Sequence, residues 1–234
     1  MNTYKIAGLL VHMQTFGQTA AYAAAYQATH SSHADIVIRR DCHYVRAKQP
    51  QIPEGEAEYL ATGSDFYRQL INFDGMMIHA SAVVKDGKAY LFSADCGTGK
   101  STHTSLWRRV YGDEAVRILN DDKPALRLED GRWYAYGTPW CGKTGQNANL
   151  RVPVAGIAFL EQALENAITP LVGVAAIAAL LQQTSKPNDL QLRGRMLELT
   201  DKLIAQVPIW KLKCNMEPEA ALLSYRVMSG ADRE

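Results

Sequence analysis

The chain has 234 residues, of which 47% are hydrophobic and 21% are charged, and its formal net charge is +1. This composition is ordinary for a globular protein with one large domain, or with one domain and a small appendage. So small a net charge produces no broad electrostatic field, which argues against nucleic acid or a membrane surface as a partner.

The cysteines and the hydropathy pattern predict the cellular compartment. The four cysteines form no C-x-x-C pair and no regular disulfide framework. The first ten residues lack the long apolar segment of a signal peptide, and the most apolar stretch, residues 170–181, is too short to cross a bilayer. We therefore expect a cytoplasmic protein with free thiols.

The first 55 residues are predicted to form a small β-rich subdomain. Residues 4–13 and 34–39 have the β-branched and aromatic content of strands. Residues 19–30, between them, fit either a short helix or an irregular strand. The polar, proline-containing segment 48–55 is the predicted boundary of the subdomain.

The second predicted unit, residues 56–234, begins with an amphipathic helix over 56–72. Strands are predicted over residues 76–84, 89–93, 115–119, 126–128, 133–136 and 154–160. Asp-Gly pairs at 86–87 and 130–131 predict two hairpins. Helices are predicted over 102–110, 174–183, 190–205 and 217–228, with a strand or extended crossover at 208–213.

A phosphate-binding loop, Ala-Asp-Cys-Gly-Thr-Gly-Lys-Ser-Thr at 94–102, lies between the strand at 89–93 and the next helix. Its glycines let consecutive N–H groups face one anion, Lys100 supplies charge for the β/γ-phosphates, and Ser101 is placed to bind Mg²⁺. Ala94 replaces the first glycine of the usual pattern, which the loop tolerates at negative φ. The predicted nucleotide-binding residues are Asp95, Cys96, Gly97, Thr98, Gly99, Lys100, Ser101 and Thr102. The alternative is a glycine-rich strand-to-helix turn.

Two adjacent carboxylates, Asp121 and Asp122, end the strand that follows this helix. One of them can hold Mg²⁺ beside Ser101 while the other accepts a proton from an attacking hydroxyl. The alternative is a solvated Asp-Asp turn. His79 lies one hairpin away from the loop and is either a catalytic residue or a hydrogen-bonded core residue.

A third segment, Tyr-Gly-Thr-Pro-Trp-Cys-Gly-Lys at 136–143, has the glycines and proline of an irregular loop. Trp140 is predicted to shape a substrate pocket and Lys143 to neutralise a phosphate or substrate anion, although a plain surface loop is the alternative. Arg151, just before the strand at 154–160, is a candidate cation for the transition state. An ordinary surface arginine is the alternative at that position.

These motifs together resemble those of the superfamily of HPr kinase/phosphorylase and ATP-dependent phosphoenolpyruvate carboxykinase. The resemblance is carried by the loop at 94–102, the Asp121-Asp122 pair, the spacing of His79 and the loop at 137–143. The chain is most similar to small bacterial proteins described as HPr kinase-like or serine kinase-like. They share the His-Ala-Ser segment and the Pro-Val-Ala-Gly-Ile-Ala-Phe-Leu-Glu pattern, here at 153–161.

The resemblance implies an α/β (α+β) fold with a carboxykinase-like nucleotide-binding core, a mixed β-sheet and C-terminal helices. It implies ATP and Mg²⁺ as cofactors, with Lys100 on phosphate, Ser101 and Asp122 on the metal, and Asp121 as the base. Since HPr kinases form hexamers, it also implies a homo-oligomer. The Leu-Glu-x-Arg-Gly signature of HPr kinases and an oxaloacetate-binding set of arginines are both missing. These departures argue against HPr as acceptor and against decarboxylation.

The predicted function is therefore a Mg-ATP-dependent kinase that moves the γ-phosphoryl group to a hydroxyl. The expected acceptor is a serine of a peptide or protein, or a small molecule. The alternatives are a nucleotide-binding sensor without catalysis, a phosphatase that uses the same base, and a carboxykinase-type enzyme.

Overall fold

The computed structural model describes residues 1–39 and 42–230, which form a mixed α/β fold with two β-sheets. Residues 231–234, the end of the second predicted unit, lie outside the described residues. The smaller sheet consists of β1 (Asn2–Ile6), β2 (Leu9–Met13) and β3 (Ile36–Val37). β1 and β2 pair antiparallel, and β2 pairs parallel with β3.

The prediction of a single strand over residues 4–13 is wrong, because a two-residue turn divides this segment between β1 and β2. Ala7 and Gly8 both have positive φ, 51° and 79°, which is the geometry of a tight hairpin. Alanine rarely takes this conformation, and the sequence has no Asn-Gly or Asp-Gly pair here. The sequence therefore gives no signal for the turn.

The first 55 residues also contain two helices, so this part of the chain is less β-rich than predicted. α1 (Gly17–Ala23) lies in the segment for which a helix and a strand were both open, and α2 (Cys42–Lys48) precedes the predicted boundary. The predicted strand at 34–39 shortens to β3. α3 (Glu54–Leu70) confirms the predicted amphipathic helix.

Among the described residues the larger sheet has nine strands, and its mixed polarity confirms the predicted mixed sheet. They are β4 (Gly75–Met77), β5 (Ala80–Lys85), β6 (Lys88–Ser93), β7 (Arg117–Asn120), β8 (Ala125–Glu129), β9 (Arg132–Tyr136), β10 (Arg151–Gln162), β11 (Ala167–Pro170) and β12 (Ile209–Cys214). The order is β4-β8-β9-β10-β6-β5-β7, and β12 pairs with β10 and β11. β10 runs parallel to β6 and β12 and antiparallel to β9. Both Asp-Gly hairpins are confirmed, with positive φ at each Asp and Gly.

Helices cover both faces of this sheet. The α-helices that follow α3 in the chain are α4 (Lys100–Tyr111), α5 (Gly173–Gln182), α6 (Leu190–Gln206) and α7 (Pro218–Ser229). On β6, Ala89 and Leu91 belong to the core cluster that contains α5 and α6, whereas Tyr90 and Phe92 belong to the cluster with α4 and α7. This alternation is the two-residue period of a strand that is buried on both faces. No helix within residues 1–39 and 42–230 is long and apolar enough to cross a membrane.

The strand predicted over residues 76–84 is interrupted between β4 and β5, at Ile78 and His79. Here the His79 N–H donates to the Gln183 carbonyl at 2.7 Å, and the Ile78 N–H donates to Pro124. The chain therefore leaves the ladder for two residues and returns to it at Ala80. No residue in this stretch signals the break, because the partners lie far away in sequence.

We expect Gly137→Ala to destabilise the fold strongly. A Cβ atom at Gly137 would lie 1.9 Å from the Ala148 carbonyl oxygen and 2.7 Å from that of Leu119, so backbone would have to move. The expected loss in the free energy of unfolding is at least about 3 kcal/mol in urea denaturation. Gly194→Ala is the control, because it lies in α6 with open space around it and should gain about 1 kcal/mol of helix propensity. Equal midpoints for the two variants would contradict this packing.

Candidate functional site

The predicted phosphate loop connects β6 to α4 with the expected strand-loop-helix geometry. Gly97 and Gly99 have φ values of +82° and +113°, and Gly99 is the N-cap of α4. A Cβ atom at Gly97 would meet nothing within 4 Å, so the backbone conformation rather than crowding requires glycine there. The loop therefore places backbone N–H groups and the N-terminus of a 12-residue helix at one point.

Lys100 lies under this loop and is only 8% exposed. Its Nζ donates to the carbonyl oxygens of Ala94 at 2.8 Å and Asp95 at 3.2 Å. Burial lowers the pKa of Lys100, against the opposing effect of nearby acidic groups that include Asp122 and Asp121. Ser101, by contrast, is exposed on the first turn of α4.

Asp121 is buried at the end of β7 and is held by two hydroxyl groups. Its Oδ1 accepts from Ser81 Oγ at 2.5 Å and its Oδ2 accepts from Thr144 Oγ1 at 2.8 Å. Ser81 Oγ is also hydrogen-bonded to Thr104 Oγ1 on α4, at 2.9 Å. The carboxylate is thus connected to the helix that carries Ser101.

Asp122 is held by two basic side chains. His79 Nε2 lies 3.1 Å from its Oδ1, and Lys123 Nζ contacts its Oδ2. Burial would raise the pKa of Asp122, but the hydrogen bond from His79 and the Lys123 ammonium hold it below the ordinary value. The side chain of Asn120 fixes the turn, since its Oδ1 accepts from the N–H groups of Asp122 and Lys123.

A hydrogen-bonded chain connects the phosphate loop to Asp122 through Gln183, which the sequence analysis missed. Gln183 Nε2 donates to Asp95 Oδ1 at 2.9 Å, and its Oε1 lies 3.1 Å from His79 Nδ1. Because the Asp95 carboxylate only accepts, this amide orientation requires His79 Nδ1 to donate. His79 Nε2 faces the Asp122 carboxylate, so both ring nitrogens of His79 have a polar partner. Gln183 lies 104 positions from His79, and no local pattern relates the two.

The segment 137–143 reaches Asp122 through a glycine rather than through its tryptophan. A Cβ atom at Gly142 would lie 2.9 Å from Asp122 Cβ, and the Gly142 N–H donates to Tyr59 Oη at 2.8 Å. Trp140 is fully buried against α3, where its Nε1 donates to Thr62 Oγ1 at 3.2 Å. Lys143 is exposed and has no hydrogen bond or ion pair with another described residue.

Arg151 lies with a different group of residues. Its Nε donates to Glu129 Oε2 at 2.9 Å and to Tyr136 Oη at 3.1 Å, and its guanidinium lies 3.4 Å from the centre of the Tyr134 ring. Within the described part of the chain, none of its contacts involves the phosphate loop or the Asp121-Asp122 pair. The structure therefore brings His79, Lys100, Asp121 and Asp122 together and leaves Arg151 outside this group.

Two cavities lie near this group, one at the loop and one at Lys123. A cleft of about 620 Å³ extends from Gly97 and Gly99 past the exposed side chains of Leu164 and Met216. A cavity of about 420 Å³ has Lys123 in its wall. Both volumes are within the range of small-molecule sites, about 300–1,000 Å³.

His103 lies in α4 behind the loop and is 2% exposed. Trp107 Nε1 donates to its Nε2 at 3.3 Å, and Ser224 Oγ lies 3.1 Å from the same nitrogen. Burial lowers the pKa of His103 to about 4. The residue supports the helix in its neutral form.

A family model described as SynChlorMet cassette protein ScmC matches residues 60–219, which is more than half of the chain. The chain therefore belongs to the ScmC family. No curated protein matches. Among solved structures, the Hpr(Ser) kinase/phosphatase from Coxiella burnetii aligns at 14% identity, over 66% of this chain and 98% of that chain, with a TM-score of 0.35. A TM-score this low establishes neither a common fold nor a common activity.

We expect His103 to make the fold sensitive to mild acid. Its pKa is about 4 in the folded state and about 6.5 in the unfolded state, so below pH 6.5 only the unfolded chain gains the proton. The stability contributed by neutral His103 is complete above pH 6.5 and is lost as the pH falls to 4, by roughly 3 kcal/mol. Urea denaturation of His103→Gln should show this part of the pH dependence removed. The exposed His30→Gln variant should keep it; equal slopes in wild type and His103→Gln would contradict the assignment.

Proposed function

We propose that this member of the ScmC family is a Mg-ATP-dependent phosphotransferase that transfers the γ-phosphoryl group to a hydroxyl. The expected acceptor is a serine in a peptide or protein, or a small molecule. The observation that carries the proposal is the hydrogen-bonded chain Asp95–Gln183–His79–Asp122, which connects the predicted phosphate loop to the Asp121-Asp122 pair. A protein that only bound phosphate would need the loop but not this connection.

The cleft next to the loop supports a nucleoside triphosphate as the phosphoryl donor. Leu164 is 95% exposed and Met216 is 72% exposed, and both lie in the cleft that begins at Gly97. Exposed apolar side chains beside a polar loop suit the faces of a purine base. We propose that the base lies in this cleft and that the triphosphate extends to Lys100.

The donor set also fits a magnesium ion that is bound together with the nucleotide. The described residues contain no cluster of three or more His, Cys, Asp or Glu that could hold a metal alone. Mg²⁺ in phosphate sites is held by one or two carboxylates together with substrate phosphates, and a full protein cage is not needed. Ser101 and Asp122 would hold the ion, which would neutralise negative charge on the phosphates.

The contacts of the two carboxylates support different roles. Asp122 carries a lowered pKa beside His79 and Lys123, which suits an anionic metal ligand and makes it a poor base. Asp121 contacts the neutral hydroxyls of Ser81 and Thr144, which orient the carboxylate without neutralising its charge. We assign Asp121 as the base.

In the proposed reaction, the acceptor hydroxyl gives its proton to the Asp121 carboxylate as its oxygen attacks the γ-phosphorus. The bond from the γ-phosphorus to the β,γ-bridging oxygen breaks, and ADP leaves. Lys100 exchanges its two carbonyl hydrogen bonds for the β- and γ-phosphate oxygens. Positioning and charge neutralisation account for most of the rate, as phosphoryl transfer requires.

The test compares Asp121→Asn with Lys100→Met. Asp121→Asn should lower phosphoryl transfer to serine-containing peptides and small alcohols at least about 100-fold, with the affinity for Mg-ATP nearly unchanged. Lys100→Met should weaken Mg-ATP binding itself. Transfer is measured with γ-labelled ATP, and affinity by calorimetry. The matched control is Asp201→Asn, an exposed residue of α6 that should leave both quantities unchanged. Tight Mg-ATP binding with equal, negligible turnover in wild type and Asp121→Asn would replace the kinase with a nucleotide sensor.

A further inference from the structure

The 420 Å³ cavity next to Lys123 lies between α3 and the segment 185–189. Its floor contains the rings of Tyr59 and Tyr67, and the Trp140 ring packed against Tyr67 is fully buried. Gly63 makes this floor possible, because a Cβ atom there would lie 2.8 Å from Trp140 Cδ1. The ring of Trp140 therefore lies directly against the helix backbone of α3, and the irregular segment 185–189 forms another wall of the cavity.

Two residues connect the cavity to the carboxylate pair. Lys123 lines the cavity, and its ammonium contacts Asp122. Tyr59 also lines it, and its hydroxyl accepts from the Gly142 N–H, next to Asp122. A molecule in the cavity would thus contact Lys123, whose ammonium reaches Asp122.

Polar groups in the wall of the cavity have capacity for a ligand. Ser185 Oγ is buried and has no hydrogen-bond partner among residues 1–39 and 42–230. Lys186 is exposed and makes no ion pair with the described residues. Arg68 is the third cationic side chain in the lining, after Lys123 and Lys186. Its Nη2 forms an ion pair with Asp65 Oδ1 at 2.6 Å. The only carboxylate among the described lining residues is Asp189, which caps α6 by accepting from the Leu192 N–H.

We propose that this cavity is the acceptor site, and that it selects a hydroxyl compound carrying a carboxylate. This inference rests on the proposed phosphotransferase function. The carboxylate binds Lys186 and Arg68 at the rim, the carbon skeleton lies on the aromatic floor, and the hydroxyl points to the Asp121-Asp122 pair. The volume fits an amino-acid-sized molecule or one to two residues of an extended peptide, and it is too small for a folded element.

The test measures binding without chemistry, in the presence of Mg²⁺ and a non-hydrolysable ATP analogue. The matched probes are acetyl-Ser-Glu-amide and acetyl-Ser-Gln-amide, which differ by one charge. The wild-type protein should bind the Glu probe about tenfold more tightly in calorimetry. N-acetylserine, which carries its carboxylate on the serine itself, distinguishes the two kinds of acceptor. Tighter binding of N-acetylserine than of the dipeptide indicates a small hydroxy acid, and the reverse order indicates a peptide.

Lys186→Glu should abolish or reverse this preference, and acetyl-Ser-Lys-amide should then bind more tightly than the Glu probe. Lys202→Glu makes the same charge change on the exposed surface of α6 and should keep the wild-type preference. Equal binding of the Glu and Gln probes by wild type, or equal effects of the two lysine variants, would overturn the acceptor site. If phosphoryl transfer then still depends on Asp121, the proposed function stands without it. If the charge preference holds but no probe is phosphorylated, the cavity binds carboxylates without being an acceptor site, and the proposed function fails.

Discussion

Two neighbouring carboxylates at the end of a buried strand impose the constraint on which the rest of the site depends. Asp121 is 7% exposed and Asp122 is partly buried beside it, so nearby polar groups must replace the hydrogen bonds that these carboxylates lose from water. Two hydroxyl groups donate hydrogen bonds to Asp121, and His79 and Lys123 contact Asp122. The interruption between β4 and β5 is part of this arrangement, because the backbone of Gln183 anchors His79 in the gap.

Features that depend on neighbouring residues could be predicted from the sequence. The strand-loop-helix turn at 94–102 needs positive φ at Gly97 and Gly99 for local reasons, and the Asp-Gly pairs define their own turns. α3 and the C-terminal helices follow from apolar periodicity, since each has one face on the core. The Asp121-Asp122 pair could be identified for the same reason, because a strand that ends in two carboxylates is a local pattern.

Features that depend on distant partners could not be predicted. The turn at Ala7 and Gly8 is set by packing of the smaller sheet, and the gap at His79 is set by a residue 104 positions away. Trp140 was predicted to shape a pocket from a loop, and the structure gives it a larger role in the core. It stacks on Phe66 with ring centres 4.7 Å apart and shares a cluster with the smaller sheet. Tertiary packing decides each of these, and local propensity does not.

Lys123 couples binding at Asp122 to binding in the cavity, because its single ammonium group contacts Asp122 and its side chain lines the cavity. A cation that binds to Asp122 would release this ammonium towards the cavity, and an anion in the cavity would draw it away from Asp122. Linkage makes the two effects equal in free energy, so metal and acceptor would each raise the other's affinity by the same factor. A single side chain thus allows cooperative assembly of a ternary complex without a moving domain.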